Sequence, residues 1–324
     1  MRPFAVRVLS GVVLATLSAF ACAQSYPSRP IRMVIPFPGG GATDATARLF
    51  GQLLSASLGQ NIVADNRPGA TGSIGAMEVY RGNPDGHSIL YTSSSFGLAP
   101  LLYKKPPYDP IADFGHVQLT VAQPMVLVVN PQFPAKTLPE FIKHARANPN
   151  AINYGSSGSG GINHLTGAEF ASRFGIQLSH VPYKGGAPAL IDVVAGQIQM
   201  LFAPTGELLA YMQTQRVRWL AIAWPTRSTL LPHVPTFTEV LGQEYPGIGV
   251  WHGVMVPKGT PAAVISRLNA ELTRAAALPE VRQKLLAQGN VMLGGSPEEF
   301  VRYLQGEVAR WGKVVKALDL KQLD

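Results

Sequence analysis

Cysteine is almost absent from this sequence: Cys22 is the only one in 324 residues. A disulfide framework and a zinc site built from several cysteines are therefore excluded. Charged side chains are also scarce, at 14% of the chain, whereas 46% of the residues are hydrophobic. This balance is typical of a folded globular protein and argues against an intrinsically disordered one.

The N-terminus carries an apolar stretch, residues 8–20, that follows Arg2 and ends at the small-residue motif Ala21-Cys22-Ala23. This arrangement predicts a secretory signal peptide over residues 1–23, with cleavage after Ala23. The stretch is too short to cross a bilayer as a helix, and no later stretch approaches the roughly 18 uninterrupted apolar residues that a membrane span needs. We therefore expect a soluble periplasmic protein.

Removal of this segment would take away the only cysteine and, with its two arginines, reduce the formal net charge of +8 by two. Lipid attachment to Cys22 is an alternative fate, although the bulky Phe20 fits a lipid-attachment motif poorly. The remaining basic residues are scattered along the chain, which argues against a nucleic-acid partner. We expect a monomer.

Hydrophobic periodicity divides the chain into two similar parts. Residues 31–95 and residues 152–203 each have the pattern of strand, helix, strand, helix, strand. Such alternation predicts parallel strands joined by right-handed crossovers, and hence an α/β fold with two lobes. Two β-branched segments, residues 117–130 and 250–257, are predicted to cross between the lobes as a hinge.

The C-terminal part has the periodicity of amphipathic helices, to which we assign no chemistry. The last of them is predicted to begin after Ser296, because Ser-Pro-Glu-Glu is a strong helix start. The predicted spans are residues 262–278, 280–288 and 297–317.

Three glycines, Gly39-Gly40-Gly41, follow the first predicted strand and precede a helix. A nucleotide P-loop needs Gly-Lys-Ser/Thr at this place, and that triplet occurs nowhere in the sequence. A dinucleotide fingerprint needs a glycine three residues beyond Gly41, where this chain has Asp44. We therefore expect no nucleotide or other cofactor. A helix N-terminus still offers unpaired N–H groups to another anion.

Two further loops occupy equivalent positions, residues 155–163 and residues 184–187. In a parallel α/β lobe such loops lie at the carboxyl ends of the strands, where ligands bind. Serine hydroxyls in the first of these loops would add neutral donors, so a carboxylate could be held without a charged side chain. Asp44 would repel a carboxylate at the same helix start. Either its side chain turns back to cap the helix, or it orders waters or receives a donor group of the ligand, and both roles stay open at this point.

Catalytic and metal-binding motifs are missing from the sequence. Neither Gly-x-Ser-x-Gly nor His-Glu-x-x-His occurs, and the seven histidines are dispersed, so no metal site is expected. A periplasmic hydrolase that uses Ser157 with His164 is the alternative from the enzyme class. It rests only on the presence of two suitable residue types near one loop.

Several stretches together resemble the substrate-binding receptors of tripartite tricarboxylate transporters, also called Bug receptors. The resemblance covers essentially the whole chain after the signal peptide. Seven stretches in the correct order carry it: YPSRPIRMVIPFPGGGATDATAR, VADNRPGATGSIGA, NPDGHSILYTSSS, INYGSSGSGGINHLTGAEF, HVPYKGGAPALIDVVAGQIQMLFA, PKGTPAAVISRLNAEL and GGSPEEF.

The resemblance implies a type II periplasmic binding protein, or venus flytrap, in which each lobe is a mixed, mainly parallel sheet flanked by helices. Lobe 1 would comprise residues 24–123 and 247–324, and lobe 2 residues 124–246. Such a receptor closes on a small organic acid and delivers it to membrane transporter subunits, without catalysis. A sensory receptor that docks on a membrane kinase is an alternative that the sequence does not separate from transport.

The resemblance also assigns ligand-binding positions. Those nominated by position are Phe37, Gly40, Gly41, Thr43, Asp44, Ser93, Ser94, Ser157, Gly158, Ser159, His164, Tyr183, Lys184 and Ala203. Ala203 stands in a region where relatives that bind amino acids can carry an acid, so a mono- or dicarboxylate is expected instead. Glu207 would replace that acid if its turn points the side chain inward.

Overall fold

A computed structural model describes residues 26–320, so the predicted signal peptide and Cys22 lie outside the described residues. Within this range the chain forms ten strands and eleven α-helices. The strands are, in chain order, β1 (Ile31–Ile35), β2 (Ile62–Asn66), β3 (Ser88–Ser93), β4 (Phe114–Val129), β5 (Asn153–Ser156), β6 (Ser179–Pro182), β7 (Met200–Pro204), β8 (Arg218–Ala223), β9 (Gly249–Pro257) and β10 (Val291–Gly294).

The helices flank the sheet on both faces. They are α1 (Ala42–Leu58), α2 (Ser73–Tyr80), α3 (Ser95–Leu98), α4 (Leu138–Ala147), α5 (Ile162–Phe174), α6 (Gly186–Ala195), α7 (Thr205–Leu208), α8 (Phe237–Leu241), α9 (Ala262–Ala277), α10 (Pro279–Ala287) and α11 (Pro297–Ala317). Among the described residues, none of these helices is long and apolar enough to cross a membrane.

The first lobe is built around β1, which pairs in parallel with β2 and β3 as the strand–helix alternation predicts. Ile31, Met33 and Ile35 of β1 are fully buried. They belong to one core cluster with Phe50 and Leu54, which lie four residues apart on one face of α1. The apolar strand and the stripe of the helix that follows it therefore bury each other.

The second lobe repeats this scheme with β5, which pairs in parallel with β6 and β7. Helix α5 packs against this lobe through an aromatic cluster. The centre of the Phe170 ring lies 5.5 Å from that of Phe202 on β7 and 5.9 Å from that of Phe237 on α8. Strand β8 and helices α4 and α8, which the sequence analysis did not predict, complete this lobe.

Strand β4 connects the two sheets. Residues 114–124 pair antiparallel with β9, whereas residues 125–129 pair antiparallel with β7 and β8. The strand is continuous across the change of partners, and β9 returns beside it. The lobe boundaries near residues 123 and 247 stay a prediction, and this change of partners supports them.

Helix α11 contacts both lobes. Its N-terminal half places Phe300 and Leu304 in a core cluster with Trp251 of β9. Its C-terminal half places Trp311 in a different cluster, which includes the aromatic side chains of the second lobe. Arg310 also pairs with Glu169 of α5 at 2.7 Å. The last helix therefore ties the two lobes together outside the β4–β9 crossing.

Candidate ligand-binding site

A cavity of about 780 Å³ lies at the carboxyl end of β1. One wall is the β1–α1 loop, residues 37–43. The opposite wall comes from chain segments far away in sequence, and it includes Gln123, Glu207 and Asn290. We call this space the first cavity.

A second cavity, of about 350 Å³, lies at the carboxyl ends of β3 and β5. It is lined by residues 93–95 from one lobe and residues 157–162 from the other. Val250 of β9 lines both cavities, so the two spaces are neighbours. Parallel strands from both lobes thus end at one common region.

The first glycine loop, residues 37–44, turns sharply at two glycines. Gly40 has a φ of +86°, which an L side chain rarely adopts, and Gly41 is extended at φ −79° and ψ 171°. Gly41 is the N-cap of α1, and Asp44 is the third residue of the helix. The Asp44 carboxylate accepts a hydrogen bond from the Gly40 N–H at 2.9 Å. The side chain therefore closes the loop on itself.

The second glycine loop, residues 156–164, has nearly the same backbone. Gly160 has a φ of +78°, and Gly161, the N-cap of α5, is extended at φ −69° and ψ 160°. The third helical residue is now His164, and its Nδ1 accepts a hydrogen bond from the Gly160 N–H at 3.0 Å. The two lobes thus use the same turn to enter a helix at each cavity.

Both turns leave the start of a helix open. A glycine N-cap has no side chain to accept the first-turn N–H groups, which have no partner inside the helix. Gly41, Ala42 and Thr43 line the first cavity, and Gly161 and Ile162 line the second. Helix N-termini of this kind favour anions through their N–H groups and their partial positive charge.

The charge of Asp44 is balanced within the first loop. Arg48 Nε donates to both carboxylate oxygens, at 3.0 and 2.9 Å, and Asn66 Nδ2 donates at 2.9 Å. Burial opposes ionisation of Asp44, but the hydrogen bonds from Arg48, Gly40 and Asn66 outweigh it and lower its pKa to about 2. Asp44 lies behind the loop, which indicates the loop-closing one of its two predicted roles.

His164 is buried behind the second loop and stacks on His180, with ring centroids 3.8 Å apart and an interplanar angle of 11°. Burial lowers the pKa of His164. Burial, together with the neighbouring His164 ring, lowers the pKa of His180 to about 4. Both rings are therefore neutral near pH 7, and His164 can accept the Gly160 N–H.

Hydroxyl groups line the second cavity. Ser93, Ser94, Ser157, Gly158 and Ser159, all nominated from the sequence, are brought together here from two lobes. Thr71 also lines it, with a φ of +55° that is rare for a threonine. Sequence reasoning missed Thr71, although the Gly-Ala-Thr-Gly run around it signals an unusual turn.

Five nominated residues lie outside both cavity walls: Asp44 and His164 lie behind the loops, and Tyr183, Lys184 and Ala203 lie elsewhere. The Tyr183 hydroxyl donates to Asp192 at 2.7 Å, and Lys184 is exposed. Ala203 is fully buried within β7, opposite Val126. Their roles in binding stay predictions.

His252 of β9 lines the first cavity and was missed by sequence reasoning. Its Nε2 lies 3.2 Å from Thr43 Oγ1, and burial lowers its pKa to about 4. The contact links Thr43, in the first turn of α1, to the strand that returns from the second lobe. No local signal marks His252, because the partner is 209 residues away.

The geometry does not assemble a catalytic pair from Ser157 and His164. Ser157 Oγ donates to Asn163 Oδ1 at 2.8 Å, and the lone pair of His164 Nδ1 accepts the Gly160 N–H. A nucleophilic serine needs its proton to be taken by a base. The hydroxyl is instead placed to line the second cavity.

Two α/β lobes with crossing strands and a ligand-sized space at their strand ends are the architecture of periplasmic solute-binding proteins. The sequence matches the family described as "Tripartite tricarboxylate transporter family receptor" over residues 46–320. The chain belongs to this family. Its members are solute-binding receptors and not enzymes, which removes the hydrolase alternative.

Individual relatives agree with this assignment. BugT of Bordetella pertussis is 34% identical, over 96% of this chain and 96% of that one. An R. palustris protein solved with adipate is 32% identical, with a TM-score of 0.78 over 90% of this chain and 98% of that one. MatC from Rhodopseudomonas palustris, solved with bound malate, is 30% identical, with a TM-score of 0.74 over 90% and 100%. The predicted family and fold class are confirmed.

Proposed function

We propose that this protein, as a monomer in the periplasm, captures a small organic carboxylate and delivers it to the membrane subunits of a tripartite transporter. The observation that carries the proposal is the pair of glycine loops, each of which opens the start of a helix into a cavity. Adipate and malate in the two structural relatives are carboxylates, which agrees with this chemistry.

In this proposal the first glycine loop holds the carboxylate through main-chain N–H groups. Gly40 contributes shape and not a donor, because its N–H is already bound by Asp44. The donors are then the first-turn N–H groups near Gly41 and Thr43. Hydrogen bonds from neutral donors to an ionised acceptor are stronger than those between neutral groups, so no arginine or lysine is needed.

The second glycine loop supplies the contact with the other lobe. Hydroxyls such as Ser157 and Ser159 would bind another part of the acid, from the opposite side of the cleft. A ligand shifts a conformational equilibrium only through different affinities for its states. An acid that contacts both lobes gains contacts on closure and therefore favours the closed receptor.

A paired ligand screen tests the proposal. Thermal unfolding would be followed with adipate, malate and other carboxylates, each beside the neutral diamide of the same shape, such as adipamide. An acid at 100 times its Kd stabilises the folded state by about 2.7 kcal/mol. We expect stabilisation by at least one acid and by none of the amides. Amides that stabilise as well as their acids would contradict the proposal.

Transport and sensing differ in the membrane partner. Loaded receptor immobilised on a surface is expected to retain the membrane subunits of a tripartite transporter from detergent extracts, and to retain less of them when empty. Retention of a sensor kinase in their place would replace delivery with signalling and leave carboxylate capture intact.

A further inference from the structure

Glu207 faces the first cavity from the wall opposite the first glycine loop. It is the third residue of α7, whose N-cap is Pro204. An acid at the third helical position often accepts the N–H of the N-cap residue, but proline has no N–H. Because the N-cap is a proline, the Glu207 carboxylate has no N-cap N–H group to accept a hydrogen bond from.

The Glu207 carboxylate forms no hydrogen bond or ion pair with any residue between 26 and 320; burial alone shifts its pKa, upwards. The side chain is open to the cavity, but protein atoms crowd it and remove water from the charged form. Its oxygens lie against the main chain of Gly186, so closely that an added Cβ would collide with them. Gly186 therefore fixes where the carboxylate sits.

Asn290 supplies a second acceptor on the same cavity. Its Nδ2 donates to the Leu285 carbonyl at 3.2 Å, which fixes the orientation of the amide. Its Oδ1 is buried and has no hydrogen-bond partner in the part of the chain that the structure describes. A buried acceptor without a partner is costly, and a ligand donor would remove that cost.

The segments that carry these two acceptors are in contact. Thr205 Oγ1 donates to the Gly289 carbonyl at 2.5 Å, two residues before Glu207 and one before Asn290. The first cavity therefore has opposite chemistry on its two walls. Main-chain N–H donors of the first glycine loop lie on one wall, and oxygen acceptors lie on the other.

We propose that Glu207 and Asn290 form a subsite for a positively charged nitrogen, so that the captured acid carries an ammonium group as well as a carboxylate. This inference rests on the proposed function, which accounts for the carboxylate end. It replaces the mono- or dicarboxylate expected from the sequence, because Glu207 places an unpaired carboxylate at the first cavity. A dicarboxylate would place a second negative charge against Glu207.

The test uses straight-chain acids of three to six carbons with three alternative end groups: methyl, ammonium and carboxylate. Affinities for the whole receptor would be measured by isothermal titration calorimetry at pH 7.5. We expect the best ammonium acid to bind at least about tenfold more tightly than the methyl and carboxylate acids of the same length, a difference of about 1.4 kcal/mol.

Two variants separate the charge of Glu207 from its position. Glu207→Gln keeps the shape and removes the charge, so the preference for the ammonium acid should fall about tenfold. Gly186→Ala keeps the charge and displaces the carboxylate, and it should weaken the same preference. Glu280→Gln, the same substitution at an exposed site on α10, is the control and should change nothing.

The outcomes distinguish the two proposals. Dicarboxylates that bind as tightly as the ammonium acids at every length, or a preference that survives Glu207→Gln, would overturn the ammonium subsite and leave carboxylate capture standing. A panel in which no acid binds would remove the proposed function and this inference with it.

Discussion

The two glycine loops share a backbone and differ in the residue that closes them. In the first, the acceptor of the Gly40 N–H is a carboxylate, Asp44; in the second, the acceptor of the Gly160 N–H is a neutral imidazole, His164. Each acceptor is the third residue of its helix. One turn geometry is therefore obtained with two different chemistries.

The comparison shows how each lobe avoids presenting a net charge to the ligand. The charge of Asp44 is taken up by Arg48 behind the first loop, whereas burial keeps His164 neutral. The attraction for an acid is then left to the open N–H groups of the helix starts, which carry only partial charge. Both loops present the same neutral donors.

Helix α11 shows what the two loops lack. Its N-cap Ser296 accepts the N–H of Glu299, and Glu299 accepts the N–H of Ser296 in return, a complete capping box. Asp44 occupies the position of the acid in such a box but accepts the N–H of Gly40, one residue before the N-cap, and Gly41 has no hydroxyl to supply the other half. The missing hydroxyl therefore leaves the first-turn N–H groups of α1 and α5 without a side-chain acceptor at the cavities, whereas Ser296 supplies one at α11.

The largest expected effect comes from adding that cap to the first loop. In Gly41→Asp the new carboxylate should accept the first-turn N–H groups and repel the ligand, and affinity for the best acid of the screen should fall about 100-fold, or about 2.7 kcal/mol. The nearest atom to an added Cβ is the Pro38 carbonyl oxygen, 3.9 Å away, so the site has room. Calorimetry measures the loss.

Gly41→Ala is the matched control, because it adds the Cβ without an acceptor. Its affinity should stay within about threefold of the wild type. Equal losses in Gly41→Ala and Gly41→Asp would show that bulk matters and that the N–H groups do not.

Acid should destabilise the fold through its neutral histidines before it affects Asp44. His180 has a pKa of about 4 when folded and about 6.5 when unfolded, so between these values the unfolded chain binds more protons. His180 should therefore lower the free energy of unfolding by about 2 kcal/mol from pH 7.5 to pH 5, and His252, whose folded pKa is also about 4, should lower it by a similar amount. Asp44, with a pKa of about 2, stabilises the fold above pH 3.8 and loses that effect only as the pH falls through 2.

Urea unfolding at several pH values measures this difference, and His180→Gln should reduce the slope between pH 7 and pH 5 by the contribution of His180, while that of His252 remains. A slope that is unchanged in His180→Gln would place the titrating group elsewhere. The ligand-free protein should be used, so that binding does not contribute.

Asp44→Asn should lower the free energy of unfolding by about 1.5 kcal/mol, because Arg48, Gly40 and Asn66 lose their hydrogen bonds to a buried charged acceptor. Glu299→Gln makes the same change at the same helical position of α11, where the side chain is exposed. It should cost less than about 0.5 kcal/mol. If both variants lost equal stability, the ion pair of the first loop would add nothing beyond capping.

Ser296→Ala is expected to have the smallest effect on binding. Loss of a hydroxyl cap costs about 1 kcal/mol of stability. Ser296 lies at neither cavity, so the affinity for acids should be unchanged within measurement error. A tenfold loss of affinity would contradict the division between structural and binding helix starts.

The elements around the site could be predicted because their signals are local. Apolar runs such as residues 31–35 and the glycines that follow them mark a strand, a turn and a helix within one short window. The position of Asp44 near a helix start was also readable. Its hydrogen bond to Gly40 was not, because that bond depends on a positive φ which glycine permits but does not require.

The opposite wall of the first cavity could not be predicted in the same way. Asn290 and His252 reach it through the pairing of β9 and β10 with β4, and such long-range pairings leave no periodic signal near either residue. Glu207 was noticed only as an acid near a strand end. Its carboxylate has no local partner because Pro204, the N-cap of α7, has no N–H. Only the structure shows that Pro204 occupies this N-cap position.

Helix α11 has a mechanical consequence for the receptor. If β4 and β9 were the only connections, one lobe could rotate freely about them on closure. Trp311 and Arg310 also attach α11 to the second lobe, so closure has to move this helix as well. The two lobes are therefore joined through β4, through β9 and through α11. Twisting of one lobe against the other should therefore need less energy than other relative motions of the lobes. The width of the cleft should then depend on Arg310 and Trp311, which lie more than 100 positions from either glycine loop.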